Sequence, residues 1–137
     1  MPERFVLDSF AVLALLQGEP GAVRVRDLLD QAQRSEPLHL TVVNLGEVLY
    51  NMEMRRGRGA ALEAVGLIDA LPIQLAPVDR NLALRAARLK ATVRLGYADC
   101  FVAALAETLG AKVLTGDPDF AAIESQIAIE WLPRRPI

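Results

Sequence analysis

The feature that most restricts this chain is its alternation of very short apolar runs with longer segments of helical periodicity. Phe5-Val6-Leu7 reads as a strand ended by Asp8, and Ser9 is placed to cap a helix over Phe10–Leu16 that Gly18, Pro20 and Gly21 close. A helix over Ala22–Ala32 turns Val25, Leu28 and Leu29 inward. Leu38–Thr41 is the next strand. The helix expected over Val43–Arg55 carries Leu45, Val48, Leu49 and Met52 at the i, i+3, i+4, i+7 spacing of one buried face. Gly57 and Gly59 interrupt it, and a helix over Ala60–Ala70 stops before Pro72. Ile73–Leu75 is a third strand, bounded by Pro77. Asp79 caps a helix over Arg80–Val93, Gly96 precedes another over Ala98–Leu109, and Gly110 ends that one as a left-handed cap. Lys112–Leu114 is the fourth strand, Thr115-Gly116-Asp117-Pro118 a turn, and Ala128–Leu132 the fifth strand. Strands this short, joined by helical crossovers, call for a parallel sheet covered on both faces. The expected fold class is α/β, with a five-stranded parallel sheet sandwiched between helices. One domain over residues 1–137 is expected, with 133–137 as a loose tail.

Composition supports a packed domain and narrows its setting. At 137 residues, 53% hydrophobic and with a mean hydropathy of +0.26, the chain has apolar surface enough for a core. A net charge of -2 gives no overall basic bias towards nucleic acid, so phosphate contact would fall to local patches such as Arg55, Arg56 and Arg58, or Arg85 and Arg88. Only Lys90 and Lys112 among the 15 basic residues are lysines; arginine suits bidentate contact with carboxylate or phosphate. A single cysteine, Cys100, excludes an internal disulfide and fits a reducing compartment. Asp8 interrupts the apolar stretch Phe5–Leu16, so neither a membrane span nor a signal peptide is expected. A cytoplasmic, soluble protein is expected.

Most of the 17 acidic residues lie in polar surroundings, but Asp8, Glu47 and Asp99 are embedded in apolar sequence, and Asp117 ends a strand run. Burying a carboxylate is costly unless it is paired or bound to metal. In an open parallel sheet, sites form beyond the carboxyl ends of the strands, at the switch in strand order. Asp8 and Asp117 follow strands directly, Glu47 lies early in the helix leaving the second strand, and Asp99 lies in the first turn of the helix before the fourth. All four can reach one rim. Two like charges about 4 Å apart repel by roughly 4 kcal/mol at an effective dielectric of about 20. Several such pairs rival a domain's whole stability of roughly 5–15 kcal/mol. Either some carboxylates are protonated or a divalent ion neutralises them. Oxygen ligands suit Mg²⁺ or Mn²⁺, whereas one His and one Cys cannot build an ordinary zinc site. Such a site is suited to phosphodiester hydrolysis by a metal-activated water. A covalent mechanism has no support, since His39 lies within a strand run and Ser9 has no basic neighbour in sequence.

Four segments together resemble the PIN-domain family, specifically the VapC toxins of VapBC toxin–antitoxin modules. They are Phe5-Val-Leu-Asp8-Ser9, Thr41-Val-Val-Asn-Leu-Gly-Glu47-Val, Tyr97-Ala-Asp99-Cys-Phe-Val-Ala-Ala-Leu-Ala, and Leu114-Thr115-Gly-Asp117-Pro-Asp119-Phe120. Each is weak alone; all four in order, over essentially the whole chain, are specific. The resemblance implies an Mg²⁺- or Mn²⁺-dependent endoribonuclease whose metal-binding and catalytic residues are Asp8, Glu47, Asp99 and Asp117. It implies supporting roles for Thr115 and, more weakly, Ser9 and Asn44, with Asp119 ranked below Asp117. It also implies an RNA substrate, a homodimer and a cognate antitoxin, with DNA met only through the antitoxin complex.

Other readings compete with this one. The four carboxylates can be separate helix caps and turn formers. A receiver-type phosphoacceptor domain would want an acidic pair at Asp8 and a lysine after the last strand, and an aspartyl-nucleophile phosphatase a second Asp where Phe10 stands. Neither explains Glu47. The serious alternative is a PIN fold acting as a binding module for antitoxin or RNA with little turnover. Asn44, Glu47 and Asn51 form a polar line that a solvent-facing helix would equally produce. Arg55–Arg58 reads first as a solvated helix end, His39 as a strand residue with a local hydrogen bond, Cys100 as core, and Trp131 as packing ahead of an RNA-stacking role.

Overall fold

The computed structural model describes residues 3–135. Its strands are β1 (Phe5–Leu7), β2 (Leu38–Thr41), β3 (Ile73–Ala76), β4 (Lys112–Thr115) and β5 (Ile129–Trp131). The helices are α1 (Ser9–Gln17), α2 (Ala22–Ala32), α3 (Val42–Arg56), α4 (Arg58–Ala70), α5 (Arg80–Thr92) and α6 (Tyr97–Leu109), with a 3₁₀ turn over Pro118–Ile123. The strands form one parallel sheet in the order β3-β2-β1-β4-β5. The chain therefore builds outward from β1 to β3, then returns to lay β4 and β5 on β1's other side. The switch in strand order falls between β1 and β4, where a parallel sheet opens a crevice.

Alternation along the strands divides the core in two. Phe5 and Leu7 of β1 and Leu114 of β4 point into a cluster closed by α1, α2, α3 and α4. Val6 and Val113 point the other way, into a cluster with α5, α6 and the 3₁₀ turn. Helix α6 is buried without a break from Cys100 to Ala106, and its alanines at 103, 104 and 106 let it lie close against the sheet. The edge strand β5 is fastened to the opposite layer by a two-pronged pair, Arg24 Nε and Nη2 on Glu130 Oε2 and Oε1 at 2.6 and 2.9 Å.

The element order matches the sequence expectation, and the differences have local causes. Asp8, not Ser9, caps α1, its carboxylate accepting from the Ala11 amide. Helix α4 begins at Arg58 rather than Ala60, because Gly57 alone turns the chain, with φ +91°, and Gly59 lies inside the helix. Gly110 ends α6 at φ +63°, as expected. The expected loose tail is partly tied down: Leu132 is buried and Arg135 pairs with Glu19. Pro136 and Ile137 lie outside the described residues. Among the described residues no helix is long and apolar enough to cross a membrane.

Candidate active site

The rim of the sheet at the β1–β4 switch is built from strand ends and helix starts. Leu7 is in register with Leu114, so Asp8 and Thr115 stand level on adjacent strands. Asp8 is only 1% exposed. Its Oδ1 accepts from the Ala11 amide at 2.9 Å, and its Oδ2 accepts a short hydrogen bond from the Thr115 hydroxyl. Burial is the largest influence on this carboxyl and pushes its pKa up to about 8; the Thr115 and Ala11 bonds oppose that, and the charges of Asp99 and Asp117 add to it. The Thr115 hydroxyl accepts in turn from the Asp117 amide at 2.9 Å. One buried hydroxyl thus joins the first and last members of the group.

Gly116 allows the chain to pass between them. A Cβ there would sit 2.3 and 2.5 Å from the Phe10 ring, so a side chain fits only if that ring is displaced. Beyond it, Asp117 caps the 3₁₀ turn, its Oδ1 accepting from the Asp119 amide at 2.9 Å. Asp119 is exposed.

The opposite wall comes from α3 and α6. Thr41 ends β2 and caps α3, accepting from the Asn44 amide at 3.1 Å and donating its own hydrogen to Asn44 Oδ1. Asn44 Nδ2 donates to Glu47 Oε1 at 3.0 Å and to the Ala98 carbonyl at 3.3 Å. Asn44 is fully buried, so the polar line on α3 is not a solvent-facing stripe: its first member binds α3 to the start of α6 and orients Glu47. Asp99, in the first turn of α6, is half-buried. Burial foremost, then the charges of Asp117, Glu47 and Asp119, raise its pKa to about 7.

Asp8, Glu47, Asp99 and Asp117 therefore share one electrostatic neighbourhood, with Thr115 and Asn44 bonded to members of it. Ser9 starts α1 beside Asp8 and is half-buried. The carboxylates are not drawn to a common point: among the described residues no three of the His, Cys, Asp or Glu side chains are close enough to hold an ion together. What the rim offers a cation is an all-oxygen donor set with two carboxyls whose ionisation the site itself opposes. Sequence reasoning missed Thr41 and Gly116. A threonine ending a strand three residues before Asn44 was a legible capping signal, whereas the Gly116 contact needs the position of Phe10.

The remaining candidates lie elsewhere. Arg55, Arg56 and Arg58 are exposed around the α3–α4 turn, and Arg85 pairs with Glu107 at 3.3 Å. His39 is half-buried within β2, where burial lowers its pKa. Cys100 is core. Trp131 departs from its expected packing role: it is 40% exposed, and its Nε1 donates to Glu124 Oε2 at 2.7 Å.

Comparison with known proteins agrees with this architecture. A family model described as the PIN domain matches residues 5–125. Ribonuclease VapC5 of Mycobacterium tuberculosis is 29% identical over 140 residues, covering 94% of each chain. The structure of VapBC-5, a toxin–antitoxin system of the same organism, superposes with a TM-score of 0.62 at 26% identity, over 96% of this chain and 98% of that one. VapBC2 of Rickettsia felis, bound to a promoter DNA fragment, gives a TM-score of 0.76 at 12% identity, over 94% and 98% of the two chains.

Proposed function

Because the chain belongs to the PIN-domain family, we propose that it is an Mg²⁺- or Mn²⁺-dependent endoribonuclease, the toxin of a toxin–antitoxin pair. The observation that carries this reading is the pair Asp8 and Asp99, pushed to pKa values of about 8 and 7 on one rim at the sheet's switch point. Carboxyls that resist ionisation near neutrality, beside two further carboxylates, suit a site completed by a cation. Asp8, Glu47, Asp99 and Asp117 would hold the ion. When bound, Mg²⁺ or Mn²⁺ supplies a polarised phosphodiester and a bound water of lowered pKa.

The chain's own residues arrange the rest. Thr115 and the Ala11 amide fix the Asp8 carboxylate from two sides, so it meets the substrate already oriented. Asn44 does the same for Glu47 while locking α3 to α6. The Thr115–Asp117 bond keeps the 3₁₀ turn level with Asp8.

The relatives' VapBC assemblies support a cognate antitoxin as partner, with DNA reached through that complex; a homodimer and a cytoplasmic setting are part of the same proposal. The spread of the carboxylates, no three of which meet among the described residues, is the observation that favours the alternative of a binding module with little turnover. Purified protein should cut RNA in Mn²⁺ and stop when EDTA is added. Full cutting in EDTA would remove the metal mechanism, and metal binding without any cutting would favour the binding module.

A further inference from the structure

Trp131 is the only tryptophan in the chain, and it stands in the same row as the acidic rim. Leu7 pairs with Leu114, which places Asp8 level with Thr115, and Thr115 pairs with Trp131. Paired residues of a parallel ladder present their side chains on one face of the sheet. Asp8, Thr115 and Trp131 therefore end three adjacent strands on the same face, with Trp131 two inter-strand spacings, about 10 Å, from Asp8. The neighbouring Glu130 points to the other face, where Arg24 holds it.

The Trp131 Nε1 donates to Glu124 Oε2 at 2.7 Å, and the residue remains 40% exposed. The bond fixes the ring's orientation while leaving a substantial part of the residue in solvent. A nucleotide whose phosphate lies at the carboxylate rim has its base several ångströms away, within reach of the end of β5.

We infer that Trp131 is a stacking platform for an unpaired base of a single-stranded RNA, next to the phosphate that lies at Asp8, and that Glu124 is the residue that positions the ring. This rests on the ribonuclease reading above. Stacking is tolerant of base identity, so it selects unpaired nucleotides over a duplex rather than one base over another. The RNA then enters from the β5 edge of the sheet, with its backbone passing beyond the end of β4, at half-buried Asp117, towards β1.

The lone tryptophan makes the test direct. The full chain is titrated with a short single-stranded RNA in Ca²⁺, which gives the rim its divalent charge in place of Mg²⁺ or Mn²⁺, reading indole fluorescence and, in parallel, the anisotropy of a dye on the RNA. Stacking predicts that the fluorescence is quenched as anisotropy rises, and that an abasic version of the RNA binds without quenching. Trp131→Ala should weaken binding by about 5- to 100-fold, with Trp131→Phe recovering most of the loss. Glu124→Ala should reduce the depth of quenching and raise KM while leaving kcat within about twofold. Normal anisotropy binding with no quench, and with unchanged affinity in Trp131→Ala, would overturn the stacking assignment and leave the ribonuclease reading standing. No binding of RNA by either readout would overturn both.

Discussion

A carboxylate taken out of water is destabilising unless hydrogen bonds or a cation offset the loss, and Asp8 has two bonds where an exposed aspartate has a full shell. Its folded pKa of about 8 lies above the ordinary 3.8, so the fold binds a proton that the unfolded chain releases. Stability from this group is complete below about pH 4 and is lost as pH rises through about 8. In EDTA, the urea midpoint of the protein should therefore fall across that window, and Asp8→Asn should flatten the fall; an unchanged slope in the variant would show that Asp8 is not the source. Thr115→Val removes one donor from Asp8 and one acceptor from the Asp117 amide. Calorimetry should show divalent-metal affinity lowered by about 10- to 100-fold with the fold intact, and an unchanged affinity would deny Thr115 its supporting role. All four carboxylates were legible because each stands in apolar sequence or at a strand end. The expectation for Thr115 and Asn44 entered through family resemblance, and their bonds to Asp8, Asp117 and Glu47 appear only once β1, β4, α3 and α6 are assembled.

The elements separate residues that shape the site from residues that merely hold a helix. Asp79 and Asp8 cap α5 and α1 by the same bond, to the amide three residues on. Asp79 is exposed and lies outside the carboxylate group, so Asp79→Ala should lower stability by about 0.5–2 kcal/mol and leave RNA cleavage unchanged. Gly116→Ala drives a methyl into Phe10 and should destabilise by about 1–3 kcal/mol, a loss that Gly116→Ala combined with Phe10→Leu partly recovers if the clash is the cause. Denaturant midpoints of the three variants check both statements. At this scale the periodicity of α2 and the strand Leu38–Thr41 were read to the residue, because their boundaries coincide with changes in hydrophobic pattern. The start of α4 was misplaced, since two glycines close together do not reveal which one takes the positive φ. Trp131 was misjudged because its position in a strand says nothing of whether a helix covers that end of the sheet.

In the whole molecule, the strand order β3-β2-β1-β4-β5 unites the parts. It puts a crevice between β1 and β4, a helical layer on each face, and the acidic rim at the place where neighbouring crossovers part. Parallel pairing was legible from the alternation of strands and helices, since such crossovers admit little else. The order itself was not, because nothing local to Lys112–Thr115 says on which side of β1 it will pair. The net charge of -2 makes the same point for function: no overall basic field announces RNA, and the acidic rim requires a cation before it can approach a phosphate. The most direct test of the central claim is incubation of total bacterial RNA with the purified protein and, at matched concentration, with Asp8→Ala, both in Mn²⁺. The account predicts discrete cuts from the native chain and none from Asp8→Ala. Equal cutting by the two, or no cutting by the native chain while it binds Mn²⁺, would contradict it.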